Sequence, residues 1–465
     1  MKTDNYMRRL TGREVAGYSY YSLASILGTC MLPYLSMYYA DLGMDMGLFA
    51  KALLFARIAD IAVTLLAGFA IEKIHLSIGS GKYRSWLFVC QFALLGGMAL
   101  LFADFFGTPS ARFAAVLAGS VLANAAMVFA ANAQYGILPL MAGPSSKERN
   151  RLSISCYRLS CIGSALVLLA GASAVQWSSR NIGRPHNYFV MAAFFALFFF
   201  HGIAALRSSS KSCDAYVEGG YGLKQATLAE MALSVAANRR LLVYLLASTL
   251  ACAGSLSTAG LSVFYWQTIV QNGYPDLFVS TNTAAGVSAA AFSLIGPLIG
   301  VRAGKKNAMA AGLAIAAISG VFTALFAAQH WWVFIGASIL ASFATSVYAG
   351  FGVNFALDCG EYYFWRTGKD GRMPAMSMSH IPMKAAAAIA SLFVYALAAI
   401  GYEGSAGTIV DEAFIRSFML LLGGAPAALY AAAALLVHFG YAITDEDAAR
   451  YSAENVRRLS PPPLG

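Results

Sequence analysis

The sequence predicts a polytopic α-helical membrane protein. Hydrophobic residues make up 59% of its 465 residues and charged residues only 12%, whereas a soluble domain carries roughly 25% charged residues. Apolar stretches of about 20 residues or more, long enough to cross a bilayer as a helix, recur from end to end. Together these observations argue against a soluble globular protein.

Charge and cysteine usage narrow the class further. The net charge of +10 comes from basic residues in short loops between the spans, without the interleaved aromatic residues of a nucleic-acid surface, so no nucleic-acid partner is expected. The seven cysteines are scattered and form no CxxC pair, which predicts neither a disulfide framework nor a metal site. No nucleophile-base pair, zinc signature or phosphate loop appears, so we expect neither an enzyme nor a cofactor.

Hydropathy predicts twelve transmembrane spans. They cover residues 16–40, 47–73, 85–105, 111–141, 153–177, 186–206, 241–270, 277–301, 307–328, 331–357, 376–402 and 411–443. The N-terminus has the basic start of a signal peptide, but the span after it is long and lacks a clear cleavage site, so we interpret it as a retained first helix.

The loop of residues 207–240 divides the spans six and six. We therefore expect an N-terminal bundle (1–206), a linker with an amphipathic helix (207–240), a C-terminal bundle (241–443) and a tail (444–465). Most lysines and arginines lie in segments that are cytoplasmic if both termini face inward, as the positive-inside rule requires. This orientation fits a bacterial inner membrane.

The two halves also share a weak sequence echo. Gly81-Lys82 follows the second span and Gly304-Lys305 follows the eighth, and each pair marks a tight turn between neighbouring spans. Repeated halves packed around a site at the membrane midplane are typical of secondary transporters.

Charged residues inside the spans predict a transport function. Burying a charge within a bilayer costs about 2.5–3.5 kcal/mol on insertion scales, so such residues face a polar interior and serve a purpose. Arg57 and Asp60 stand three residues apart in the second span and can pair on one helix face. Lys384 and His380 are one turn apart in the eleventh span, and a cation there needs a carboxylate, for which Asp60 is the candidate.

Other polar residues can contact a solute. Asn132, Gln134 and Tyr135 in the fourth span offer hydrogen bonds to hydroxyl groups. Arg158 in the fifth span is either a solute ligand or an arginine whose charged end extends to the membrane surface.

Two aromatic residues of the seventh span also suggest a role. Tyr265 and Trp266 offer a stacking surface for a solute, although aromatic residues near a span end are more often interfacial.

The sequence resembles the glycoside-pentoside-hexuronide:cation symporter family of the major facilitator superfamily. The resemblance extends over nearly the whole chain. It is carried by residues 38–43, by 56–60 with 81–86, by 132–136 leading to 148–149 and 157–158, by 238–241, and by 358–369 leading to Lys384 and 401–402. It implies a major facilitator fold of twelve transmembrane helices in two six-helix bundles.

The family also implies residue roles. Asp60 matches a cation-site aspartate, and Lys384 matches a lysine that links the cation and sugar sites. Asn132 and Arg158 match sugar-contacting positions. We further expect a cytoplasmic gate, which we assign to Arg84, Arg149, Asp358 and Glu361.

Two departures from the family pattern limit this inference. The second cation-site aspartate is Thr64 here, and no acidic residue lies between Glu14 and Asp41, where the family has a sugar-binding aspartate. Sodium needs several oxygen ligands, whereas a proton needs one titratable carboxylate, so the sequence favours H+ over Na+ as the coupling ion.

We therefore expect a monomeric secondary transporter that moves a sugar, glycoside or hexuronide by cation-coupled symport. Two alternatives remain open from the sequence. One is a carrier of a non-sugar amphiphilic or lipid-like solute, favoured by the missing acidic residue in the first span. The other is a non-transporting membrane receptor or assembly protein.

Overall fold

The described part of the protein consists of helices joined by short loops, with no β-strand. The computed structural model describes residues 9–459, except 75, 77, 79–80, 104–106, 144, 214–227, 271–275 and 403–409. The helices of the first half are α1 (Gly12–Gly28), α2 (Leu35–Asp41), α3 (Met46–Lys73), α4 (Lys82–Phe102), α5 (Pro109–Ala142), α6 (Ser146–Asn181), α7 (His186–Ser209) and α8 (Leu228–Ala236). Those of the second half are α9 (Arg239–Phe264), α10 (Asp276–Ala303), α11 (Lys305–Phe326), α12 (Trp331–Ala349), α13 (Gly352–Thr367), α14 (Arg372–Ser377), α15 (Ile381–Ala399), α16 (Glu412–Met419), α17 (Ala425–Leu435) and α18 (Asp445–Leu459).

The predicted spans are visible as long apolar helices. Within the described residues, ten helical stretches are long and apolar enough to cross a membrane, and the bent α3 makes an eleventh. The first predicted span is interrupted: α1 is only 17 residues long and ends before a 3₁₀ turn at Leu32–Tyr34, after which α2 begins. Pro33 lies in this turn, where its missing N–H leaves no helical hydrogen bond unmade.

Helix α3 bends by 46° between Gly47–Thr64 and Leu66–Lys73. The hydroxyl of Thr64 donates a 2.8 Å hydrogen bond to the backbone carbonyl of Asp60, one turn earlier. A threonine hydroxyl that binds the carbonyl four residues back competes with the helical ladder and often bends the helix. The bend therefore lies beside the predicted coupling residue Asp60.

The chain forms two compact units. Unit 1 consists of Met1–Ser234, Gly360–Ser377 and Ala449–Gly465, and unit 2 consists of Val235–Cys359 and Met378–Ala448. Unit 1 therefore includes α14 and most of α18 as well as the helices of the first half. Gly68 of α3 makes room for α14, because a Cβ at this glycine would lie 2.3 Å from the Ser377 hydroxyl oxygen.

Part of the predicted linker helix is observed as α8. Lys369 forms an exposed 3.1 Å ion pair with Glu230 of this helix, and Gly371 lies against Ser234. The helix is thus held by the loop between α13 and α14. The preceding part of the prediction, 214–227, lies outside the described residues.

The sequence echo between the halves corresponds to a shared turn. Gly81 and Gly304 precede α4 and α11 with φ angles of +115° and +81°, a backbone region that glycine enters without steric cost. The lysine after each glycine pairs with a carboxylate: Lys82 with Glu72 at 2.5 Å, and Lys305 with Asp358.

Small residues let neighbouring helices approach closely. Gly97 of α4 faces Ala123 of α5, and a Cβ at Gly97 would lie 2.7 Å from the Ala123 backbone nitrogen. In unit 2, a Cβ at Gly312 of α11 would lie 2.6 Å from the Ala344 carbonyl oxygen of α12. Such contacts are the main attraction between helices in a membrane, where lipid tails are as apolar as the side chains.

The contact at Gly97 can be tested against its neighbour Gly96. We expect Gly97→Ala to lower the free energy of unfolding by about 1–3 kcal/mol, because the new methyl group must push two backbones apart. At Gly96 the nearest atom to a new Cβ lies at 3.7 Å, so Gly96→Ala should be neutral or stabilise the helix by about 0.5–1 kcal/mol. Unfolding in detergent measures both changes, and equal effects would contradict the packing described.

Candidate functional site

Three of the four predicted coupling residues, Arg57, Asp60 and Thr64, lie on the bent helix α3, and the fourth, Lys384, lies on α15. Asp60 is only 7% exposed and Thr64 is fully buried, whereas Arg57 is exposed. Within the described residues Arg57 has no ion-pair partner, so the structure does not bring it together with Asp60. Thr64 directs its hydroxyl to its own helix.

Asn132 of α5 is a fully buried carboxamide with unused hydrogen-bonding capacity. Its relative exposure is 0%, and neither its amide nitrogen nor its amide oxygen has a hydrogen-bond partner among the described residues. A buried polar group without a partner costs about 1–3 kcal/mol. Such groups are rare in native proteins and call for an explanation, such as a functional role.

The side chain of Gln134, two residues further along α5, forms hydrogen bonds within the protein. Its amide nitrogen lies 3.3 Å from the Tyr18 carbonyl oxygen and 3.4 Å from the Ser22 hydroxyl of α1, and 3.5 Å from the thiol of Cys156. The Tyr18 hydroxyl in turn donates a 2.9 Å bond to the backbone carbonyl of Gln134. This residue therefore joins α1 to α5. Its neighbour Tyr135 is half-buried.

The remaining polar candidates are half-buried and lie on α6 and at the start of α15. Arg158 is on α6, in unit 1. His380 ends a 3₁₀ turn and forms the N-cap of α15, so it precedes the helix on which Lys384 lies. Lys384 and His380 belong to unit 2. The pairing of Lys384 with Asp60 stays a prediction.

Tyr265 and Trp266 do not offer a stacking surface in this structure. They are 0% and 1% exposed and pack against Phe334 in a hydrophobic cluster of unit 2. The Tyr265 hydroxyl donates a 2.8 Å bond to the Ala327 carbonyl. The residues begin a π-helical segment, Tyr265–Val270, whose wider turn extends α9. Hydropathy places such residues near a span end but does not show which surface covers them.

Two of the four predicted gate residues form a buried ion pair. A terminal guanidinium nitrogen of Arg149 lies 3.0 Å from Glu361, and the two residues are 5% and 1% exposed. The same nitrogen donates to the Ser452 hydroxyl at 2.9 Å, while Asn455 donates to the Glu361 carboxylate at 2.7 Å. Both α18 residues are buried. The tail helix thus completes the hydrogen bonding of the pair, which the sequence did not indicate.

The other two gate residues have different surroundings. Asp358 binds Lys305, which also lies 3.3 Å from Asp445, so these three residues form a separate cluster in unit 2. Arg84 donates from its Nε to the backbone carbonyl of Arg207 at 2.9 Å. Lys305 carried no predicted role, although its position after Gly304, equivalent to that of Lys82 after Gly81, was a usable signal.

The loop between α13 and α14 forms another ion pair with the first residue of α14. Arg372 binds Asp370 at 2.6 Å and lies 3.8 Å from Glu361. Burial would raise the pKa of Asp370, but the charge and hydrogen bonds of Arg372 outweigh that effect and lower this pKa below its usual value. The stabilisation is therefore present above the ordinary pKa of an aspartate and is lost as the pH falls through the lowered one.

Comparisons with known proteins agree with this architecture. A bacterial homologue of the iron transporter ferroportin, in an outward-facing state with soaked iron, has a TM-score of 0.66 at 14% identity, covering 93% of this chain and 99% of that one. The transporter FucP in the outward conformation has a TM-score of 0.65 at 13% identity, covering 93% and 98%. A peptide transporter, POT, has a TM-score of 0.53 at 15% identity, covering 94% of both chains.

At these identities the structural likeness shows the fold, which is that of major facilitator superfamily transporters. No curated protein matches the sequence. A family model described as MFS/sugar transport protein matches residues 17–445. The match covers most of the chain and includes every candidate residue discussed above. This multi-pass membrane protein, a transporter and not an enzyme, therefore belongs to the MFS/sugar transport protein family.

Proposed function

We propose that this protein is a proton-coupled symporter of a sugar, glycoside or hexuronide that works by alternating access, within the glycoside-pentoside-hexuronide:cation branch of its family. The observation that carries the proposal is the buried, unpartnered carboxamide of Asn132. A carboxamide offers both donors and acceptors, and a sugar hydroxyl group can satisfy both kinds at once. The family description as sugar transport proteins supports this class of solute.

The burial of Asn132 also suits a transporter that changes conformation. A solute reaches a fully buried group only after the surrounding helices move. In alternating access, the two repeats move around a fixed site near the midplane, so a group that is closed off in one state is exposed in another. Arg158, half-buried on α6, would add a charge for a hexuronide carboxylate.

The choice of a proton rests on the surroundings of Asp60. Sodium requires several oxygen ligands, but the position four residues after Asp60 carries Thr64, whose hydroxyl is already bonded to its own helix. One buried carboxylate is enough to carry a proton. FucP, which shares the fold, is described as a fucose:proton symporter. We propose that Lys384 pairs with ionised Asp60 and loses this partner when Asp60 binds the proton.

A carrier of an amphiphilic, lipid-like solute is the second candidate. It is favoured by the absence of an acidic residue between Glu14 and Asp41, the region in which the resembled family has a sugar-binding aspartate. The groups of α1 that contact Gln134, the Tyr18 carbonyl and the Ser22 hydroxyl, are neutral. A thermal-shift panel of sugars, glycosides, uronides and lysophospholipids distinguishes the two, because a bound solute stabilises the fold in proportion to its occupancy.

Replacing Asn132 by leucine provides a direct test. We expect Asn132→Leu to weaken solute binding by at least tenfold, because the side chain keeps its approximate size but loses its polar atoms. The unliganded protein should be as stable as the parent or more so, since an unsatisfied group is removed. Binding and unfolding measurements report the two effects separately. Asn124→Leu, two turns earlier on α5, is the matched control, and unchanged affinity in Asn132→Leu would rule out the assignment.

The coupling residue can be tested by charge removal. We expect Asp60→Asn to abolish accumulation of solute against its gradient while exchange of solute continues, because the proton site is lost and the hydrogen-bonding groups remain. Asp45→Asn is the control: this exposed aspartate caps the same helix, and asparagine caps equally well. Uptake assays with and without a proton gradient measure both variants. Normal accumulation by Asp60→Asn would contradict the proposal.

We also assign closure of the cytoplasmic end to the Arg149–Glu361 pair. Glu361→Gln should lower the free energy of unfolding by about 3–5 kcal/mol, since the buried charge of Arg149 loses its carboxylate partner. Arg149→Gln should cost less, because Arg372 still lies 3.8 Å from Glu361. The double variant should lose less than the sum of these values. Lys369→Gln removes one partner of an exposed pair and should cost at most about 1 kcal/mol. Additive losses within about 0.5 kcal/mol would show that the two charges are independent.

A further inference from the structure

A group of basic residues lies at one end of three neighbouring helices in unit 1. Arg84 is in the first turn of α4, Arg207 in the last turn of α7, and Lys211 just beyond α7. The hydrogen bond from Arg84 to the Arg207 carbonyl fixes α4 against α7. Helix α1 joins them, because a Cβ at Gly17 would lie 2.8 Å from the Cβ of Ser209. The exposed Arg13 lies one turn before Gly17.

The guanidinium group of Arg207 lies over an aromatic ring and close to a second positive charge. Its guanidinium group lies 4.8 Å from the centre of the Phe88 ring, which is one turn along α4 from Arg84. The charge of Arg84 acts on it with a repulsive effect. The Nε of Arg207 is buried and has no acceptor among the described residues. An anion bound beside Arg207 would accept a hydrogen bond from this unused donor. Its negative charge would also reduce the repulsion between Arg207 and Arg84.

An aromatic surface continues from this cationic group along the helices. The ring of Phe88 lies 5.2 Å from that of Phe92, which in turn lies 5.6 Å from Phe200 of α7. Phe92 is 51% exposed, and Leu197 on α7 is 59% exposed. These residues lie within helices long and apolar enough to cross a membrane. Their outer surface is therefore covered by lipid chains.

We propose that the groove between α4 and α7 binds an anionic phospholipid. The phosphate would accept hydrogen bonds from Arg207 and lie close to the charge of Arg84, and an acyl chain would cover Phe88, Phe92 and Phe200. Basic pockets between transmembrane helices on the cytoplasmic side are suited to anionic headgroups. The adjoining apolar surface selects a lipid over a free phosphate ion, because inorganic phosphate would leave that surface uncovered. This site is separate from Asp60 and Asn132 and does not depend on the proposed solute.

Binding can be measured on the full-length protein after delipidation in a neutral detergent. Native mass spectrometry and unfolding temperature would be followed during titration with phosphatidylglycerol, phosphatidylcholine or inorganic phosphate. We expect phosphatidylglycerol to bind at least tenfold more tightly than phosphatidylcholine and to raise the unfolding temperature, with little effect of inorganic phosphate. Equal binding of the two lipids, or full competition by millimolar phosphate, would overturn the proposal.

Variants locate the site. Arg207→Gln should weaken phosphatidylglycerol binding by about 10- to 100-fold, as expected for the loss of a charge-assisted hydrogen bond worth about 1.5–3 kcal/mol. Arg302→Gln, which removes an exposed arginine at the end of α10, is the matched control and should bind like the parent. If Arg207→Gln does not fold, Arg207→Lys should still bind, but more weakly than the parent, because lysine lacks the planar fork. Unchanged binding in the Arg207 variant would contradict the assignment.

Discussion

The architecture depends on one constraint: a charge removed from water must be matched within the protein. The Arg149–Glu361 pair meets this constraint through a direct contact and through the amide of Asn455, which satisfies a second carboxylate oxygen. Lys305 meets it in unit 2 by lying between two carboxylates. In a medium of low polarity the attraction between partners offsets the loss of hydration only if nearly every hydrogen bond is made. The position of α18 against α13 follows from this requirement.

The same requirement explains why polar contacts occur where helices approach closely. Unit 1 brings α1 against α7 with little side-chain volume between them, as at Gly202, where a Cβ would lie 2.4 Å from the Cβ of Ala24. Helix α1 is thereby held against α7, and its Tyr18 hydroxyl donates a 2.9 Å hydrogen bond to the Gln134 backbone carbonyl of α5. Small residues thus set the distances at which polar side chains of neighbouring helices meet.

Much of the fold could be predicted from the sequence, because apolar stretches of bilayer length have few alternatives to a helix. Both members of the Arg149–Glu361 pair could be named from their sequence context. Hydropathy gives no information on the path of a helix, so the bend after Thr64 and the interruption after α1 could not be foreseen. The burial of Trp266 and the contribution of Asn455 depend on contacts between distant parts of the chain. No local pattern in a single sequence reports such contacts.

The contrast between Asn132 and Gln134 shows how a helix can stabilise a bundle and still keep unused hydrogen-bonding groups. Both residues are buried amides on α5, two positions apart, and therefore point to different sides of the helix. On one side, Gln134 is bonded to α1 and helps to hold unit 1 together. On the other, Asn132 keeps its donors and acceptor unused. A helix that stabilises the bundle with one face can tolerate an unsatisfied group on another. Under the proposed function, a solute with matching hydroxyl groups relieves this cost on binding.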